Sequence, residues 1–104
     1  MINWKSLTNK IPHRVQLTRK SHYEVCYIDT FVDDSILGET RFDRKQIVIK
    51  DKQSPKEKVH TYIHELLHAI SEEYEVGLTE TQVRALEKSL YYMLKTGNVF
   101  RKAK

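Results

Sequence analysis

The chain has a single cysteine, Cys26, in 104 residues. No internal disulfide can form, and a metal site built from several thiolates is excluded. Proline and glycine are scarce as well, at two and three residues, which leaves little room for long flexible linkers. No apolar run approaches the roughly 20 residues needed to cross a bilayer. The N-terminal stretch Met1-Ile2-Asn3-Trp4-Lys5-Ser6 lacks an apolar core of signal-peptide length. These absences point to one compact cytoplasmic domain, and a chain of this length can bury a sufficient core without cross-links.

What is present is a balanced, folded composition. Hydrophobic residues make up 39% and charged residues 31%, a soluble globular mixture rather than a disordered one. The net charge is +4. Much of the excess sits toward the ends, at Arg14, Arg19 and Lys20 and again at Lys95, Arg101, Lys102 and Lys104. Such a balance suits an acidic partner or nucleic acid; the plainer reading is a solvated surface with a basic tail. With thiolates excluded, the five histidines become the pool of candidate metal ligands.

The first half leans toward strands and the second toward helices. Residues 13–18 alternate in character, and residues 22–32 carry Tyr23, Val25, Tyr27, Ile28, Phe31 and Val32, all good strand formers. Asp33-Asp34-Ser35 reads as a turn, and Gly38 permits a bend before residues 39–42. A turn near Asp43-Arg44-Lys45 then leads into Gln46-Ile47-Val48-Ile49-Lys50. The connections are too short for crossover helices, so a small sheet of three to four strands is expected, antiparallel or mixed and largely antiparallel. Ser54, Pro55 and Glu57 form a helix start, with a core stripe of Val59, Ile63, Leu66, Leu67, Ile70 and Tyr74 and a stop at Gly77. Thr79 and Gln82 start a second helix that carries Val83, Leu86, Leu90, Met93 and Leu94 and ends at Gly97. Val99-Phe100 is expected to pack back on the core. The predicted fold is α+β: a sheet over residues 13–50, then packed helices over 55–76 and 80–96.

Within the first helix lies His64-Glu65-Leu66-Leu67-His68. Positions four apart on a helix are separated by about 40° and roughly 6 Å along the axis. Two imidazoles at that spacing can converge on one zinc ion, at about 2.0–2.1 Å each. Glu65 lies about 100° further round. That is poorly placed for a third ligand but suited to a general base that takes a proton from water activated by the metal. In projection the histidine pair lies at the edge of the apolar stripe, with Glu65 further toward solvent.

A catalytic zinc usually has three protein ligands. No histidine follows His68, so the third is sought among acids. Glu80, at the start of the second helix, is the best candidate, since twelve residues let the chain turn back. Glu87, on nearly the same face, is its rival; otherwise it is an exposed partner of Arg84 or Tyr91. Glu72, Glu73 and Glu75 read as a solvated acidic face. His60 extends the histidine stripe and either steadies a substrate or is an ordinary surface histidine. Tyr62, Tyr74, Tyr91 and Tyr92 are candidate oxyanion donors or simply core and rim residues. Asp29, Asp43 and Asp51 are candidates to orient a ligand histidine through its second nitrogen.

The run Thr61-Tyr62-Ile63-His64-Glu65-Leu66-Leu67-His68-Ala69-Ile70 resembles the active helix of small bacterial and phage zincin-like metallopeptidases, in the style of the ImmA/IrrE and SprT-like groups. Weaker likeness extends to Leu37-Gly38-Glu39-Thr40, Ile47-Val48-Ile49 and Leu78-Thr79-Glu80, so that it covers residues 37–95. In ImmA/IrrE-like zincins a glutamate on the following helix completes the zinc site, and the matching residue is Glu80. Many gluzincins carry an aspartate four residues later, where this chain has Arg84. The resemblance implies a zinc peptidase with a peptide or protein substrate, laid against a strand edge that we place at Gln46–Lys50. Arg84 and the small size favour an alternative, a zinc-containing binding module without turnover. A basic nucleic-acid-associated protein is a third expectation.

Overall fold

A computed structural model describes residues 3–97. Val99-Phe100 and the basic residues Arg101, Lys102 and Lys104 lie outside the described residues. The order of elements is α1 (Trp4–Thr8), β1 (Arg14–Gln16), β2 (His22–Ile28), β3 (Gly38–Arg41), β4 (Gln46–Lys50), α2 (Pro55–Glu73) and α3 (Glu80–Thr96). The fold is α+β, a four-stranded mixed sheet followed by two long packed helices.

The sheet order is β1-β2-β4-β3. The outer pairs, β1 with β2 and β3 with β4, are antiparallel; the central pair, β2 with β4, is parallel. A largely antiparallel sheet was expected because no helix fits between the strands. The chain reaches the parallel pairing another way. After β2 it crosses to the far edge, returns as β3, and inserts β4 between the two, so β3 is itself the crossover. Two corrections follow. Gln46–Lys50 is not a free edge, because β4 is hydrogen-bonded on both sides. Its unbroken Ile47-Val48-Ile49 run, all buried, is the signature of a central strand. The strand over 22–32 stops at Ile28, and Phe31 and Val32 fall in the loop to β3. There the Asp33 carboxylate accepts hydrogen bonds from the Ser35 backbone N–H (2.9 Å) and hydroxyl (2.7 Å), closing the expected turn.

Helix α2 starts as its sequence dictates. The Ser54 hydroxyl caps the Glu57 N–H and the Glu57 carboxylate returns to the Ser54 N–H, both at 3.2 Å. It is shorter than expected, because Tyr74 caps it and Glu75, at φ 53°, takes the left-handed position that ends it. Tyr74 is exposed rather than core. Both flanks of the helix are covered. Ala69 joins Tyr23, Val25, Ile47 and Ile49 against the sheet, while Val59, Ile63 and Leu67 pack with Val83 of α3. Leu66 and Ile70 are half-buried and pack at the margins. Trp4 and Leu7 of α1 lie against the second cluster. That five-residue helix is too short to show periodicity; its one local signal is Asn3, which caps it by accepting from the Ser6 N–H (3.0 Å).

Two contacts fix α2 over the sheet. At its C-terminal end Glu73 is not part of a solvated face. It accepts from the Tyr23 hydroxyl (3.1 Å) and pairs with Lys45 (3.2 Å), whose ammonium also reaches the Ser21 hydroxyl at 2.6 Å. Hydrogen bonding from Ser21, then from Lys45 and Tyr23, holds the Glu73 carboxyl below its ordinary value. Burial, reinforced by Glu73, pushes the Tyr23 hydroxyl up to about 12. Near the middle of the helix, Gly38 of β3 passes so close that an added Cβ would overlap Thr61 Cγ2 and lie 3.2 Å from Glu65 Cγ.

Gly38→Ala is therefore expected to cost about 1–3 kcal/mol in urea unfolding, as other overpacked sites do; parent-like stability would show that β3 and α2 are not so closely apposed. A folded-state carboxyl held low binds its proton less readily than the unfolded chain. The Glu73 contribution is thus complete above the ordinary glutamate value of about 4.3 and is lost as the pH falls through the lower folded value. Glu73→Gln is expected to be less stable than the parent at neutral pH and to lose less on acidification. Parallel stability-versus-pH curves would contradict this.

Candidate metal centre

The link between the long helices determines where α3 begins. The Val76 N–H bonds to the Ser71 carbonyl (3.0 Å) and the Leu78 N–H to the Ser71 hydroxyl (2.8 Å), so the link is pinned to the last turns of α2. Thr79 and Gln82 then form a reciprocal cap, at 2.9 and 3.1 Å. Glu80 becomes the first residue of α3, where the helix dipole favours a negative charge.

From that position the Glu80 carboxylate spans the two histidines. Its Oε1 lies 2.9 Å from His64 Nε2 and its Oε2 3.2 Å from His68 Nε2. The two Nε2 atoms are 3.2 Å apart. Donors each about 2.0–2.1 Å from a tetrahedral ion lie about 3.3 Å from one another. The nitrogen pair is close to that value; each nitrogen faces a different Glu80 oxygen, and one ligand atom taken from each residue lies within 4.8 Å of the others. The two imidazoles are half-buried and Glu80 is 50% exposed, so the group is anchored on one side and open on the other. His64, His68 and Glu80 form a group that can hold a metal ion. Two nitrogens and a carboxylate oxygen suit zinc and neighbouring divalent transition metals.

Glu87 does not compete for this position. Two turns along α3, its Oε1 lies 2.8 Å from His64 Nδ1 and its Oε2 3.0 Å from His60 Nδ1. A carboxylate at Nδ1 takes that N–H and leaves the lone pair on Nε2, the nitrogen that faces His68 and Glu80. The orienting acid is therefore Glu87, not Asp29, Asp43 or Asp51; Asp51 pairs with Lys58 at 3.1 Å instead. Sequence spacing placed Glu87 on the correct face but could not say which nitrogen it meets. His60 gives its Nδ1 to the same carboxylate while a third of its side chain stays exposed. Its ring stacks on Tyr91 (4.1 Å, 25°), and Tyr91 stacks on Trp4 (5.1 Å, 7°).

Glu65 departs most from expectation. It is 9% exposed rather than turned toward solvent. The projection placed it outward by assuming one buried face, whereas α2 is covered by the sheet on one flank and α3 on the other. The Thr40 hydroxyl of β3 lies 2.8 Å from Glu65 Oε1 and 2.9 Å from the Glu65 carbonyl oxygen. Burial pushes the carboxyl up from its ordinary value, while the Thr40 hydrogen bond and the charges of His64 and His68 pull the other way.

No family model, curated protein or solved structure matches this chain. What the centre can do follows from its own atoms. His64 and Glu80, but not His68, line a cleft of about 550 Å³ together with Ile36, Leu37, Glu65 and Arg84. None of the tyrosines considered as oxyanion donors lines it. A second cavity of about 300 Å³, between α1 and the long helices, is almost wholly apolar and has no imidazole or carboxylate among its lining residues.

Losing an outer partner of a ligand histidine typically lowers metal affinity about 10–100-fold. Glu87→Ala is expected to weaken zinc binding by that amount in competition with a chromogenic chelator, while Glu80→Ala weakens it further. Equal affinities for parent and Glu87→Ala would remove Glu87 from the centre.

Proposed function

We propose that the chain is a zincin-like, metal-dependent hydrolase that cuts peptide bonds, with zinc held by His64, His68 and Glu80 and with Glu65 as general base. The observation that carries this reading is the convergence of two imidazole nitrogens and the Glu80 carboxylate, one ligand atom from each lying within 4.8 Å of the others, beside a buried carboxylate. A bound divalent metal would supply Lewis acidity, polarising a carbonyl and acidifying water.

The protein's own groups do the rest. Glu87 holds His64 with Nε2 toward the cleft. Glu65 takes the proton of the attacking water on its carboxylate and returns it to the departing amine. A raised carboxyl value makes Glu65 a stronger base, which favours the first half of that transfer. Thr40 fixes Oε1 and the backbone beside it, which limits the rotamers open to Glu65. Within the described residues β3 is an edge strand, and it adjoins the cleft through Gly38. An extended peptide can add to such an edge.

A second reading has support from the same residue. Glu65 is largely buried and already bonded to Thr40, an arrangement that also suits a metal-containing binding module without turnover. The two separate on Glu65→Gln and a mixed peptide library digested in the presence of zinc. For the hydrolase, the variant keeps one zinc per chain and loses at least about 100-fold in cleavage rate, the scale of a lost general base. Cleavage by Glu65→Gln at the parental rate rules out the proton-transfer role. Stoichiometric zinc in a parent that cleaves nothing favours the binding module.

A further inference from the structure

The centre carries a positive side chain that the hydrolytic reading leaves unused. Glu80, Arg84 and Glu87 are spaced four and three residues apart on α3, so they share one face of the helix, and all three line the cleft. Arg84 Nε lies 3.6 Å from Glu80 Oε1, the same oxygen that approaches His64 Nε2 to 2.9 Å. The guanidinium therefore adjoins the carboxylate oxygen that faces His64. Its side chain is 72% exposed, and among the described residues Glu80 is its one ion-pair partner.

A solvated pair of this kind on one helix is weak, which gives Arg84 no strong tie. When Glu80 binds a cation, its charge is shared with that cation and its hold on Arg84 weakens. A guanidinium has five N–H donors in a planar fork that matches a carboxylate. In the lining of the same cleft, Ile36 and Leu37 present exposed hydrocarbon. An occupant with a carboxylate near its metal-seeking carbonyl and an apolar body suits both groups.

We infer that Arg84 makes this cleft selective for substrates with a carboxylate one residue from the scissile carbonyl. This rests on the metal reading above. The carboxylate has two chemical sources, a peptide chain end and an acidic side chain.

Three malonyl hydroxamates test both points. One ends in alanine amide, which is neutral. One ends in alanine free acid, and one in aspartate α-amide. Each is titrated calorimetrically into the zinc-loaded full chain. At least one acidic probe is expected to bind about ten-fold more tightly than the neutral one, the scale of a charge-assisted hydrogen bond. Whichever acid gains identifies the source. In Arg84→Gln the acidic-to-neutral ratio falls to near one, and in Arg84→Lys part of it survives. Helix pairing alone would not move that ratio. Equal binding of all three probes to the parent overturns the subsite and leaves the metal centre standing, as does a preference that persists in Arg84→Gln. Failure to take up zinc overturns both.

Discussion

Ser71 sets the register on which the candidate centre depends. It receives the chain twice just after α2 ends, through its carbonyl from Val76 and through its hydroxyl from Leu78. With the link held there and Thr79 capping the next turn, α3 can run back along α2 in only one alignment. Glu80 then meets His64 and His68, and Glu87, two turns on, meets His60 and His64. Progress along α3 corresponds to retreat along α2, as in any antiparallel pair. Val83, between the two acids, is fully buried against Val59, Ile63 and Leu67. Polar and apolar contacts thus specify the same alignment, and a slip of one residue would lose both.

Much of this was legible because it is local. Ser54-Pro55 with Glu57, and Thr79 with Gln82, announce helix starts from residues within one turn. The His64–His68 spacing announces a shared face for the same reason. Glu80 could be chosen because the link is too short to let α3 wander. The parallel β2–β4 pair was not legible, because nothing nearby says that a returning strand will take the outer position and leave the middle for β4. The burial of Glu65 was missed on similar grounds. A helical projection knows one helix and cannot count the neighbours on its other flank. Glu87 was recognised as facing the site but not as the acid behind His64, since a role defined by one nitrogen rather than another has no trace in spacing.

The arrangement concentrates charge at partly buried positions. Glu80 and Glu87 flank His64 from opposite sides, and Glu65 sits beneath the histidine pair with only Thr40 to satisfy Oε1. Carboxylates removed from water are stabilised only when paired or hydrogen-bonded. Here each carboxylate meets an imidazole, a hydroxyl or a guanidinium, and no buried side-chain polar atom among the described residues is left without a partner. The same groups that can hold a cation also compensate one another through hydrogen bonds, so the helices stay aligned by contacts that a cation would replace rather than create.

The stacked rings give this centre an unusual neighbour. Trp4, the chain's one tryptophan, lies flat on Tyr91, which lies on His60, which shares the Glu87 carboxylate with His64. Any rearrangement that reorients His64 must pass through Glu87 to that column of rings. The indole is thereby an intrinsic optical reporter, set four side chains away from the place where an ion would sit. Its emission would register loading of the centre without a label.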